Sequence, residues 1–147
     1  MKCVFCKDEH AEPLALVTRP ENLEQVFSCI PCATQQGVWC TRHDRARVGL
    51  YPRCGTVCMQ CVDADVMLHT DEASGICIKL LETLPYAEWR RIMDWMVDMT
   101  HAWRMAPEAI VLRGVLMEAH RRGVTHWQIV EEVCAAQSAD AILPHAY

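Results

Sequence analysis

Cys29-Ile30-Pro31-Cys32 and Cys40-Thr41-Arg42-His43, separated by seven residues, decide how this chain is read. Each sets two metal-binding side chains three positions apart. That spacing lets the backbone turn as a tight knuckle, with both ligands converging on one ion and amide groups pointing at the sulfurs. Working outward, the same spacing recurs at Cys3-Val4-Phe5-Cys6, 22 residues before the first of these pairs, and at Cys58-Met59-Gln60-Cys61, 14 residues after the second. Two knuckles complete a tetrahedron, so Cys3, Cys6, Cys29, Cys32, Cys40, His43, Cys58 and Cys61 are the expected ligands of two zinc ions. Each ion would have all four positions taken by protein, and closed sites of this kind are structural, not hydrolytic. The expectation is therefore a protein without zinc catalysis.

The segments between the pairs suggest how they combine. After Cys6, Leu14-Ala15-Leu16-Val17 and Glu24-Gln25-Val26-Phe27 flank the turn-like Arg19-Pro20-Glu21-Asn22, a hairpin that leads into Cys29. Ala33-Thr34-Gln35-Gln36 then reads as a short helix ended by Gly37. The scheme repeats with strands at 47–51 and Thr56-Val57 around Pro52-Arg53-Cys54-Gly55, and a helix over Val62–Leu68. Asp44-Arg45-Ala46-Arg47 is a poor helix start. These signals favour sequential sites, Cys3/Cys6/Cys29/Cys32 and Cys40/His43/Cys58/Cys61, over a cross-brace of alternate pairs built from the same eight residues.

Residues 3–61 thereby resemble the double-zinc treble-clef modules that include LIM, RING, FYVE-type and B-box fingers. Cys40-Thr41-Arg42-His43, Leu50-Tyr51, Cys58-Met59-Gln60-Cys61 and His69 are similar to the first half of a B-box, without the paired downstream His. Cys3-Val4-Phe5-Cys6 is similar to the opening of a RING, and the likeness implies that Phe5 would meet a conjugating enzyme. The compact central ligand cluster of a RING is absent.

Composition supports the metal reading. The chain has 147 residues, 52% hydrophobic and 22% charged, too apolar for a disordered polyelectrolyte. No run approaches the roughly 18 apolar residues of a membrane span, and the start lacks the apolar stretch of a signal peptide. A cytosolic protein is expected, where ten cysteines point to metal before disulfides. Residues 1–63 balance seven Lys/Arg against seven Asp/Glu, whereas residues 64–147 carry seven against twelve, which disfavours a phosphate-backbone binder. Cys54, Cys77 and Cys134 are left over, Cys54 and His69 being possible alternative ligands and Cys77 and Cys134 small buried residues. His10, His69, His101, His120, His126 and His145 are expected at the surface or the edge of a core.

Beyond a boundary near 62–70 the pattern turns helical. Thr70 and Asp71-Glu72 open one helix, with Ile76, Leu80, Leu81 and Leu84 on its apolar side before Pro85. Trp89, Ile92, Met93, Met96, Met99, Thr100 and Trp103 mark a second, a stripe read as core before partner groove, with Trp95 off it and so the residue to expect at a partner if any large apolar residue of this helix is exposed. Pro107 to Gly123 reads as a third, and Thr125-His126-Trp127-Gln128 as the capping box of a fourth. Ala119, Gly123 and Ile129 match a helix-turn-helix spacing, yet Glu131 and Glu132 on the second helix oppose DNA. Arg42, Arg45, Arg47 and Arg53 form a basic patch open to phosphates or to an acidic protein.

The whole is read as a small zinc-stabilised α+β module of two treble-clef-like fingers (residues 1–63) followed by an α-helical bundle (residues 64–147). The expected role is an adaptor or regulator that binds a protein partner. A RING-like ubiquitin-type ligase and a zinc-finger nucleic-acid binder are the alternatives.

Overall fold

The computed structural model describes residues 1–51 and 53–143, so Pro52 of the expected second turn and His145 lie outside the described residues. The chain divides into two compact units, Met1–Cys61 and the residues from Val62 onward.

The first unit is built from short antiparallel pairs. β1 (Ala15–Thr18) pairs with β2 (Gln25–Ser28) so that Leu16 stands opposite Phe27 and Val17 opposite Val26. Alternation along a strand sends Val17 into a small core with Ala33 and Val38, while Leu16 and Phe27 turn outward together. Phe5 packs against that core, with the Arg19 guanidinium 5.6 Å from its ring centre, so the residue that the RING likeness assigned to a partner is engaged within the unit.

α1 (Ile30–Gln35) begins three residues earlier than expected, with Pro31 in its first turn, where a missing N–H costs nothing. Gly37, at φ +72°, follows its end. The sequence reading missed a two-residue pairing of β3 (Trp39–Cys40) with β4 (Arg45–Ala46), which wraps the knuckle Cys40–His43. β5 (Val48–Gly49) and β6 (Thr56–Val57) form the second expected hairpin, shorter than the 47–51 strand anticipated. α2 (Met59–Leu68) also starts earlier than expected and carries Cys61 in its first turn.

In the second unit, a 3-10 turn (Thr70–Glu72) precedes α3 (Ala73–Thr83). Thr70 does not cap it: its hydroxyl donates back to the Val66 carbonyl at 2.7 Å. Then follow α4 (Tyr86–Trp103), α5 (Pro107–Arg122), α6 (His126–Ala136) and a closing 3-10 turn, Asp140–Ile142. α5 is the hub, packed by α3, α4, α6 and the closing turn, with Ile110, Val111, Leu112, Val115 and Met117 all buried. Glu118, buried on the same helix, is neutralised by Arg121 one turn on.

Three expectations need correcting. Trp95 is not the exposed residue of α4: it lies edge-to-face on Trp103 with ring centres 5.8 Å apart and presses against Gly114 of α5. Three residues after Ile92 and four before Met99, it belongs to the inward face, and Met93 and Val97 are the apolar residues turned to solvent. Leu81 is exposed, since α3 presents Ile76 and Leu80 inward. Cys77 and Cys134 are only half-buried.

Two substitutions test this packing. A Cβ at Gly114 would lie 2.5 Å from the Ile142 carbonyl oxygen and 2.8 Å from the Trp95 ring. Gly114→Ala is therefore expected to destabilise by roughly 1–3 kcal/mol in thermal unfolding, although Ala is the better helix former by about 1 kcal/mol. Thr125 and Gln128 exchange both bonds of a capping box at the start of α6. Thr125→Ala is expected to cost about 1 kcal/mol by the same measurement.

Candidate metal centres

The first unit gathers its eight ligand candidates into two groups. Cys3, Cys6, Cys29 and Cys32 form one, and Cys40, His43, Cys58 and Cys61 the other, each with its donor atoms within 4.8 Å of one another. The grouping is sequential, first pair with second and third with fourth. Cys54 is exposed and belongs to neither group, and His69 does not join the second.

Local backbone geometry differs between the opening and closing pairs. Each opening pair is followed by a residue in the left-handed region, Lys7 at φ 64° after Cys6 and Asp44 at φ 50° after His43. There the chain folds back: the Lys7 amide donates to the Cys3 carbonyl at 2.9 Å and the Phe5 amide to the Cys3 sulfur at 3.4 Å. Each closing pair instead opens a helix, α1 at Cys29–Cys32 and α2 at Cys58–Cys61. A hairpin lies between the two pairs of each group.

Whether zinc fits is a matter of distances. Bonds of about 2.3 Å to sulfur and about 2.0–2.1 Å to nitrogen set tetrahedral edges of roughly 3.8 Å between sulfurs and roughly 3.5 Å between sulfur and nitrogen. In the second group, Cys40 Sγ and Cys61 Sγ are 3.8 Å apart. His43 Nδ1 lies 3.5 Å from Cys40 Sγ, 3.5 Å from Cys58 Sγ and 3.4 Å from Cys61 Sγ. These four distances match edges expected of a tetrahedron around zinc, with His43 presenting Nδ1, so the group fits zinc.

Electrostatics agree. Burial opposes ionisation of Cys3, but hydrogen bonding with the Cys6, Cys29 and Phe5 backbone and with the Ser28 side chain outweighs it and brings the thiol down to about 5. Burial likewise opposes ionisation of Cys40, which His43 nevertheless draws down to about 6. Their neighbours go the other way: hydrogen bonding with Cys29, then burial, pushes Cys32 up to about 12, and burial, then Cys58 and Cys40, pushes Cys61 up to about 12. Thiolates this close repel one another, and a divalent cation among them allows all to ionise together. His10, expected from the sequence at the surface or the edge of a core, stands with Nε2 3.5 Å from the Cys6 sulfur, beside the first group.

A third group, which no sequence spacing announced, lies in the second unit. His69, Glu72 and His126 bring their donor atoms within 4.8 Å of one another. Glu72 accepts from the Trp127 indole N–H at 2.8 Å, from His126 at 3.2 Å and from His69. Led by the Trp127 bond, these contacts hold its carboxyl down at about 2. His120 pairs with Asp65 of α2, and His101 is exposed. No helix is long and apolar enough to cross a membrane among the described residues.

Compared with protein-family models, curated proteins and solved structures, the chain matches none of them.

Relieving the two left-handed positions tests the knuckle geometry. Glycine adopts this backbone without the clash of a Cβ, so Lys7→Gly and Asp44→Gly are each expected to raise stability by roughly 0.5–1 kcal/mol in denaturant titrations of the metal-loaded protein.

Proposed function

We propose that the first unit is a pair of treble-clef-like fingers, each folded around one structural zinc, and that the protein acts as an adaptor or regulator through a protein partner. The observation that carries this reading is the set of tetrahedral edges at Cys40, His43, Cys58 and Cys61, which uses four protein donors and so leaves no position for a reacting water. Knuckle, hairpin, then knuckle opening a helix is the order of elements in both groups, which supports the treble-clef reading. A unit this small has a modest core, with Val17, Ala33 and Val38 clustered together and Leu50 and Val57 also buried, and metal supplies the stability such a core lacks.

The surface offers a place for a partner. Leu16 and Phe27, paired across the hairpin, are 49% and 45% exposed, and Ile30 at the start of α1 is 39% exposed. The rival readings have less support. Arg47, part of the basic patch, spends its guanidinium on Thr56, donating to the hydroxyl at 3.2 Å and the carbonyl at 2.6 Å. Arg122 is paired with Glu132 on the would-be recognition helix. Phe5, needed by the ligase reading, is packed against the core.

Chelation tests the metal. Native mass spectrometry is expected to show two zincs lost from the first unit, with amide-exchange protection of residues 1–61 collapsing as they leave. Cys58→Ser is expected to lose one of these ions and Cys77→Ser none; equal metal content in both variants would defeat the ligand assignment. For the adaptor role, a double substitution Leu16→Lys and Phe27→Lys is expected to abolish capture of the native partner while zinc content is unchanged. Discharge of a charged conjugating enzyme, or salt-sensitive binding to random DNA, would replace this reading with one of its rivals.

A further inference from the structure

The third donor group stands apart from the two cysteine clusters in residue type as well as in place. His69 follows the end of α2, Glu72 closes the 3-10 turn before α3, and His126 begins α6, 57 positions after His69. We propose that His69 Nδ1, the Glu72 carboxylate and His126 Nε2 form a further metal site in the helical unit, which takes a first-row divalent cation such as Zn2+ and completes its coordination with solvent.

Geometry carries the proposal. Zinc–nitrogen and zinc–oxygen bonds of about 2.0–2.2 Å place neighbouring donors roughly 3.3–3.5 Å apart in a tetrahedron. His126 Nε2 and Glu72 Oε1 are 3.2 Å apart, the His69 and His126 ring centres are 4.5 Å apart with the planes tilted by 43°, and all three donor atoms fall within 4.8 Å. Two imidazoles and one carboxylate suit a metal of borderline softness. Three protein donors, against four in each cysteine group, are the complement of an open site, in which bound water becomes more acidic.

The surroundings hold these donors in place. The Trp127 indole N–H donates to Glu72 Oε1 at 2.8 Å and orients the carboxylate, as outer hydrogen bonds do around metal ligands. The capping box of Thr125 and Gln128 fixes the first turn of α6, from which His126 and Trp127 both project. An ion has access, because the side chains of His69, Glu72 and His126 are 29%, 28% and 12% exposed. A hydrogen-bonded staple of the same three residues is the competing explanation, and it binds no ion.

The full-length chain, loaded and then titrated with Zn2+ alone, separates the two. Wild type is expected to bind one equivalent more than either Glu72→Gln or His126→Gln. That difference does not depend on how many ions the cysteine clusters hold. With Co2+ in place of zinc, the wild-type minus His126→Gln spectrum is expected to show ligand-field bands without sulfur-to-cobalt charge transfer. Trp127→Phe is expected to keep the equivalent with about 10- to 100-fold weaker affinity. Should the variants fail to fold, the imidazole nitrogen resonances of wild type decide: the added equivalent is expected to shift those of His69 and His126 and leave His101 unmoved. Equal stoichiometry in folded wild type and variants, a sulfur-to-cobalt band in the difference spectrum, or unmoved His69 and His126 resonances would each overturn the site.

Discussion

Four metal-binding donors gathered at the corners of one small tetrahedron, three sulfurs and an imidazole nitrogen, are the constraint on which the first unit depends. Once ionised, sulfurs 3.8 Å apart repel one another unless a cation shares their charge. The backbone is arranged to make that sharing possible. Phe5 turns its amide to Cys3, left-handed residues reverse the chain after each opening pair, and helix starts deliver each closing pair. Little else is available to hold about sixty residues together, since the sheets are two-stranded and some pairings are only two residues long.

The second unit solves the same problem by different means. α5 is buried along most of its length and is surrounded by α3, α4 and α6, so its stability comes from apolar area and from close approach at Gly114. Ion pairs bind the ends of the bundle, Arg91 reaching both Glu88 and Asp140, but these lie on the surface and add little. One half of the protein thus gathers donors that could hold metal ions, and the other is organised by packing.

What could be read in advance follows the range of each signal. The pairs of ligand candidates and the capping box at Thr125 are local patterns, each complete within four residues; the capping box is present, and the pairs gather into two groups that could hold metal. The grouping of pairs was harder, since it depended on weak helix signals after Cys32 and Cys61, and both helices in fact begin before those cysteines. Trp95 stands six residues from Trp89 and so looks off the stripe, yet its spacing of three from Ile92 and four from Met99 puts it on the inward face. The pairing of β3 with β4 is too short to leave a periodic trace. His69, Glu72 and His126 escaped altogether, because only the return of the chain at α6 brings the two histidines together.

The sequential grouping of the cysteine clusters has a consequence for how the chain comes into being. Cys3 to Cys32 spans 30 residues and Cys40 to Cys61 spans 22, and the two intervals do not overlap. A metal in the first cluster closes a loop that is finished before any donor of the second has been synthesised, and the entropy of each closure is that of a short loop. Interleaved ligands would instead keep early cysteines waiting for late ones, with exposed thiols free to capture the wrong partner. Here a metal would close each cluster in turn as it leaves the ribosome, and errors of pairing between the two would be suppressed by order of arrival.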